Sequence, residues 1–421
     1  MLEQGRHAGN GLVMEKCTSV GLMKKGVVFA LVAACGILVC SALAGSGRKL
    51  DALLAVPVTR TKVFVEPADE PLLTVLKSTF PEEKDGLAEG VPVTGGTDDS
   101  AGDREASSVW LGKLRRQAGQ GDVTSVFWLG RFLLEGSADP KAVEEGIRLI
   151  RQAADRGLVR SQLYLGMLYA GGRYVGADPG QAEKWLVAAA KQGSPMVQLY
   201  LGLMYGAGKG VVRDVGKSLY WVETSADRGL SLAQLARGMF ASFSRVYPRD
   251  DKKGAEYLAR AAEQGLPAAQ FYLALMYQEG RGVAQDSELA LYWNMLAAEQ
   301  GYPDAEYAMS RMAELGIGMT ADKSWSMMWL DRAAHHGMAQ AQYAMGIACL
   351  EGRHVPQDLP VAAAWFYRAA MQGHPDAQFR LGYMYARGLG VPVDKDRATG
   401  WLNRSAGAGN EAARQWLAQL D

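Results

Sequence analysis

An all-α solenoid of stacked helix pairs is the fold class this sequence predicts, on three observations. A glycine recurs every 36 residues, at Gly121, Gly157, Gly193, Gly229, Gly265, Gly301, Gly337, Gly373 and Gly409. Most of these glycines close one phrase, Ala-Ala-x-x-Gly, as at Ala153-Ala154, Ala189-Ala190, Ala297-Ala298 and Ala369-Ala370. Between them, apolar residues fall at helical spacing in two blocks separated by a Gly-x-Gly turn. A fixed period of this size means that each repeat buries its apolar face only against its neighbours. Function is then expected on an extended surface before any single pocket.

Elements before the repeats read differently. Lys24-Lys25 precedes an apolar run from Gly26 to Gly45 that ends in Ala42-Leu43-Ala44, the order of a secretory signal with an Ala-x-Ala cleavage site. Met23 makes a natural start for such a signal, which leaves residues 1–22 as an upstream extension. The run is also long enough for an uncleaved membrane tether over residues 26–45. Val32-Ala33-Ala34-Cys35 offers a third variant, a lipidated cysteine. All three place the repeats outside the cytoplasm, in the periplasm or anchored to the cell membrane. Residues 1–45 are therefore read as extension and signal or anchor. Residues 46–106, which turn rich in Pro, Gly, Asp, Glu, Ser and Thr, are read as a flexible linker.

The repeat region runs over residues 107–421, with eight units over 123–410 and a helix at each end. In the last unit Ala377, Leu381, Met384 and Tyr385 mark one face of a first helix. Pro375 sits in its opening turn, as do Pro195, Pro267 and Pro303 in theirs. Gly388-Leu-Gly390 breaks that helix, and Asp394 precedes the second one as an N-cap. Ala398, Trp401 and Leu402 form the buried stripe of the second helix, and Gly409 ends it. A column of small residues (Gly130, Gly166, Gly202, Gly238, Ala274, Ser310, Gly346, Gly382) lets the two helices approach. A bulky column (Trp185, Trp221, Tyr257, Trp293, Trp329, Trp365, Trp401) faces it.

These columns resemble the Sel1-like repeat family, a relative of the tetratricopeptide repeat. Its pattern is matched by Ala377, Leu381, Gly382, Tyr385, Gly388, Gly390, Val391, Asp394, Ala398 and Trp401, with Ser405-Ala406 where Ala-Ala is usual. The resemblance implies a right-handed α/α superhelix that serves as an adaptor or scaffold for protein complexes, often in bacterial envelopes, without a catalytic activity. Family members linked to penicillin binding carry a cysteine pair per repeat, which this chain lacks.

Composition excludes some classes of function. Forty-five basic residues balance 45 acidic ones, so nothing global steers the chain toward nucleic acid. Of the four cysteines only Cys349 lies in the repeats, which rules out a disulfide framework there. The aspartate column (Asp178, Asp214, Asp250, Asp286, Asp322, Asp358, Asp394) reads as caps rather than a metal array, because stacked helices hold equivalent carboxylates too far apart to share a cation. Gly206-Ala-Gly208-Lys209-Gly210 resembles a phosphate loop, but no Ser or Thr follows the lysine and no strand precedes it. His335-His336 occupies variable positions and reads as solvated, and Cys349 as a buried thiol. No cofactor and no metal site is expected.

Two sets of residues are candidates for partner binding. The first is an aromatic stripe on the first helices: Trp128, Tyr164, Tyr200, Tyr272, Tyr307, Tyr343 and Phe379. Beside it runs a column of amides, Gln162, Gln198, Gln234, Gln270, Gln342 and Gln378, with Glu306 among them. Rings supply area and amides can satisfy a bound backbone, which suits peptide recognition on the concave side. Inter-repeat packing explains the same stripe. The second set is the odd turn from Ala241 to Asp250, which lacks both glycines; Phe243, Arg245 and Tyr247 are expected to protrude there as a contact site. The resulting reading is an exported, non-enzymatic scaffold for a protein or peptide partner. An envelope glycan-binding or polysaccharide-assembly module is the alternative, with rings stacking on sugars, and a hydrolase ranks below both.

Overall fold

The computed structural model describes residues 101–136 and 139–418, with side chains from Trp110 onward. The expected signal or anchor, and all of the expected linker before residue 101, lie outside the described residues. A helix already begins at Ala101, so residues 101–106, assigned to the linker from their polar composition, belong to the folded part.

Among the described residues the structure is all helical. After α1 (Ala101–Gly119), each repeat contributes a first and a second helix: α2 (Val123–Gly136) with α3 (Pro140–Asp155), α4 (Val159–Gly171) with α5 (Pro179–Lys191), α6 (Pro195–Ala207) with α7 (Val215–Asp227), and α8 (Ser231–Ser242) with α9 (Asp251–Glu263). The series continues with α10 (Pro267–Glu279) and α11 (Ser287–Glu299), α12 (Pro303–Leu315) and α13 (Lys323–His335), α14 (Ala339–Glu351) and α15 (Leu359–Met371), and α16 (Pro375–Arg387) and α17 (Lys395–Gly407). The short α18 (Glu411–Leu417) closes it. None of these helices is long and apolar enough to cross a membrane.

The described chain divides into two compact units, one of residues 101–197 and 207–213, the other of 198–206 and 214–418. In the first, Leu134, Ile150, Leu165, Ala153 and Trp185 share one core. In the second, Ala333, Phe366, Leu381 and Met384 share another. Within each unit a first helix packs on the second helix of its own repeat and on the second helix of the repeat before.

Three local devices make the repeat. The aspartates are caps: Asp178, Asp286 and Asp394 each accept a bond from the backbone N–H three residues on, at 3.0, 2.9 and 2.9 Å, and the rest of the column does the same. The period-marking glycines all hold left-handed φ, from +76° to +97°, at the end of a second helix. The small column sets helix approach: a Cβ on Gly166 would lie 2.6 Å from Leu186 Cγ, and one on Gly346 2.6 Å from the Phe366 ring. Where this column holds Ala274 instead, the residue facing it is the smaller Asn294 rather than a leucine or phenylalanine.

A fourth device was not foreseen. The amide column does not face a ligand; it is buried and joins consecutive repeats. Gln270 Nε2 donates to the Ala262 carbonyl at 3.2 Å, a second bond to an acceptor that already takes the Gly265 N–H at the end of α9. Its Oε1 accepts from Gln300 Nε2, at the end of α11, at 2.8 Å. The same rung recurs as Gln162 with Ala154 and Gln192, Gln234 with Ala226 and Gln264, and Gln342 with Ala334 and Gln372. It stops at Gln378, whose Oε1 has no partner because Ala408 occupies the place of the next glutamine.

One rung is ionic. Glu306 is fully buried, and His336 Nδ1 lies 2.7 Å from its Oε2. Arg332 Nε stands 3.1 Å from Oε1, close enough for charge pairing but outside hydrogen-bond geometry, while Arg332 Nη2 bonds the Ala298 carbonyl that a glutamine would have taken. His336 is thus a structural partner as well as a solvent-exposed side chain, and His335 is exposed beside Trp365. Glu306→Ala is expected to cost about 1–3 kcal/mol, because His336 and Arg332 lose the buried carboxylate they meet across the seam. The double change Glu306→Gln with His336→Gln rebuilds the common rung and is expected to return stability to within about 1 kcal/mol of the parent in urea unfolding.

Candidate functional site

The aromatic stripe divides on the structure. Tyr164 and Tyr307 are buried, so inter-repeat packing claims them. Tyr164 donates to Glu135 Oε1 at 2.9 Å, and burial together with that carboxylate pushes its phenol pKa upward, which keeps it a donor. Trp128, Tyr200, Tyr272, Tyr343 and Phe379 stay half-buried. Trp128 rests on Phe127 at 5.2 Å with Arg131 over its ring at 5.4 Å. Tyr343 stacks on His374 at 4.7 Å with an interplanar angle of 18°.

The odd turn is a correction. It does not protrude as a three-residue contact site, because its two aromatics turn inward. The Tyr247 ring stacks on Phe240 at 4.0 Å, and its hydroxyl shares a 2.7 Å hydrogen bond with Ser218. Gly206 makes that possible, since a Cβ there would lie 2.5 Å from the Tyr247 oxygen. Phe243 packs on Tyr272 at 5.3 Å under the Arg281 guanidinium. Of the three residues only Arg245 is exposed. Loss of the loop glycines is therefore offset by two rings that fill the space between neighbouring repeats.

Two features escaped the sequence reading. Arg237 stands in a column that otherwise holds leucine or methionine and is buried, paired with Glu223 at 3.2 Å. Lys253 meets the same carboxylate at 2.5 Å, and although burial opposes ionisation, the two cations hold Glu223 below the usual carboxylate range. The signal was a single arginine in an apolar column. Exposed aromatics on the second helices were also missed: Tyr220, Tyr292 and Tyr367 are 62%, 54% and 47% exposed. Tyr220 and Tyr292 each directly precede the bulky column, a position that could have marked them.

Groups with reactive chemistry are held quiet. Cys349 is buried, and burial with Asp358 and Asp331 nearby pushes its thiol pKa up. No cluster of three or more metal-ligating side chains occurs among the described residues.

Eight consecutive segments match the family model of the Sel1 repeat: residues 124–158, 159–194, 195–230, 231–266, 267–302, 303–338, 339–374 and 375–410. The chain belongs to the Sel1 repeat family. Among solved structures it is similar to a Sel1 repeat protein from Oxalobacter formigenes, 66% identical, over 89% of this chain and 100% of that one, with a TM-score of 0.68. It is also similar to c5321, a protective antigen present in uropathogenic Escherichia coli strains displaying an SLR fold, at 28% identity over 74% of this chain and 67% of that one, with a TM-score of 0.59. A search of curated proteins finds no match.

One histidine of this Sel1 chain titrates against the fold. His374 is buried; its Nδ1 accepts from the Ala377 N–H at 3.3 Å as an N-cap, and its Nε2 meets Gln340 Oε1 at 2.8 Å. Both bonds need the neutral ring with the proton on Nε2. Burial lowers its pKa below the ordinary 6.5, and Asp376 opposes that only in part. The unfolded chain therefore binds this proton first, so the contribution is complete above pH 6.5 and falls as pH drops through the lowered folded value. Asn410, one repeat on, caps Ala413 through its side-chain oxygen at 3.0 Å, which shows that asparagine serves here. His374→Asn is expected to flatten the decline in stability between pH 6.5 and about 5 while changing stability at pH 7.5 by less than about 1 kcal/mol. Urea unfolding across that range checks it; an unchanged acid limb contradicts it.

Proposed function

We propose that this chain is an exported, non-enzymatic scaffold of the bacterial cell envelope that holds a polypeptide partner against the first-helix faces of its repeats. Sel1 repeats form scaffolds that commonly mediate protein–protein interaction, and eight of them span this chain. The observation that carries the reading is how the repeated side chains are used. Aspartates cap, amides join repeats and the bulky column packs, yet Trp128, Tyr200, Tyr272, Tyr343 and Phe379, on five of the eight first helices, stay half-exposed. Half-exposed rings on a rigid frame give large contact area at low ordering cost.

Export rests on Lys24-Lys25, the apolar run after them and Ala42-Leu43-Ala44. A structural relative that is a protective antigen supports that placement. The same segment, residues 26–45, would serve as a membrane tether if it is retained.

A photoreactive phenylalanine analogue placed singly at Tyr200, Tyr343 and Phe379, and at Tyr220, Tyr292 and Tyr367, tests the reading in intact cells. The expected result is a discrete protein adduct from the first-helix positions, recovered in the envelope fraction. No adduct at any first-helix position, or adducts from second-helix positions only, would overturn it.

A further inference from the structure

Loop geometry singles out one repeat. In three sister turns the second glycine, Gly282, Gly318 or Gly390, holds φ near +70° and lies against the first residue of the second helix one repeat earlier. A Cβ on any of them would collide with the backbone of Asp251, Ser287 or Leu359. The corresponding residue of the seventh repeat is His354, at φ +63°, the single non-glycine residue with left-handed φ among those described. Its counterpart across the seam is Lys323. With a Cβ present the loop cannot close onto Lys323 as its sisters close, and the two residues instead border a cavity of about 220 Å³.

The walls of that cavity have a definite chemistry. Arg311, Lys323 and Arg353 line it, with Glu314 the single acid. Arg311 pairs with Glu314 and Arg353 with Glu351, which leaves Lys323 without an ionic partner among the described residues. The Nε of Arg311 is buried without a hydrogen-bond acceptor. Tyr307, Tyr343, Met327 and Ile347 add rings and apolar side chains to its lining. Gln340 braces one ring, since it holds His374 at 2.8 Å, on which Tyr343 stacks. A backbone conformation that side chains resist, kept beside a braced and cation-rich hollow, is the kind of strain that marks a ligand site.

We propose that this hollow seats a carboxylate of the bound polypeptide, with Lys323 and Arg353 as its cationic partners and apolar contacts from Met327 and Ile347. The proposal rests on the polypeptide-scaffold reading and specifies one subsite within it. The anion could come from an acidic side chain or from a chain end, and three short probes separate these. They are acetyl-Leu-Glu-Leu amide, acetyl-Leu-Gln-Leu amide, and acetyl-Leu-Gln-Leu with a free carboxylate, titrated into the full chain carrying labelled Met and Ile methyl groups.

The expected result is that one or both acidic probes shift the Met327 and Ile347 methyl signals and the fully amidated probe does not. Stronger binding by the first or the third names the source. Lys323→Gln and Arg353→Gln are each expected to weaken the acidic probe about tenfold, the size of a charge-assisted contact. His354→Gly lets the loop close and is expected to abolish the shifts, whereas His354→Asn keeps a Cβ in a left-handed position and retains them. Equal binding by the amidated probe would overturn the carboxylate seat and leave the scaffold reading standing. Absence of shifts with every probe would overturn the seat alone, since photocrosslinking judges the scaffold separately. Identical behaviour of His354→Gly and His354→Asn would overturn the geometric argument.

Discussion

The buried glutamine rung is the interaction on which the stacking depends. A second helix ends with carbonyls that its own turn leaves room to bond again: the Ala262 carbonyl accepts the Gly265 N–H at 2.9 Å and has a second lone pair free. Gln270 answers this by bonding Ala262 across the seam, and Gln300 then fastens Gln270 from the other side. One side chain thereby ties the end of one repeat to the end of the next. Apolar burial supplies most of the stabilisation but tolerates sliding. A directed bond inside the seam does not, because a slip leaves the buried Gln270 amide unpaired.

This use of polar residues explains where function can reside. Caps, rungs and packed rings account for most of the recurring chemistry, so specificity falls to positions where a repeat departs from its sisters. Three such departures stand out in the larger unit. Arg237 replaces a core aliphatic residue and is met by Glu223 and Lys253. Glu306, paired with Arg332 and bonded to His336, replaces an amide rung with a carboxylate one. His354 puts a side chain where sister loops need none. The first two exchange one partnership between repeats for another. Only the third opens space.

Much of the fold was legible in the sequence because the repeat reports each position many times over. Capping aspartates, terminal glycines and the existence of the small column follow from local rules, but that column packs on Leu186, Val222, Leu258, Phe366 and Leu402, one residue past the bulky column expected to face it. The amide column was visible as a column, yet its role was misjudged, since a partner 30 residues away cannot be inferred from helical spacing alone. His336 is the surface residue it was taken for, but its bond to Glu306 was missed, although most sister positions hold the glutamine that completes the rung. The turn at Phe243 and Tyr247 was misjudged for a related reason. Missing glycines signalled an altered shape, but the space awaiting the rings lies in another repeat, at Gly206. Partner-facing residues were the least legible, as the same spacing that builds an exposed stripe also builds a packed one.

Hydrogen–deuterium exchange on the full chain carrying Gln270→Leu tests the central claim most directly. If the rung fastens neighbouring repeats, amides in residues 231–302 lose about tenfold or more of their protection, the equivalent of about 1–3 kcal/mol, ahead of those in residues 375–410. Protection unchanged across residues 231–302 would contradict the account and leave apolar packing alone to set the register.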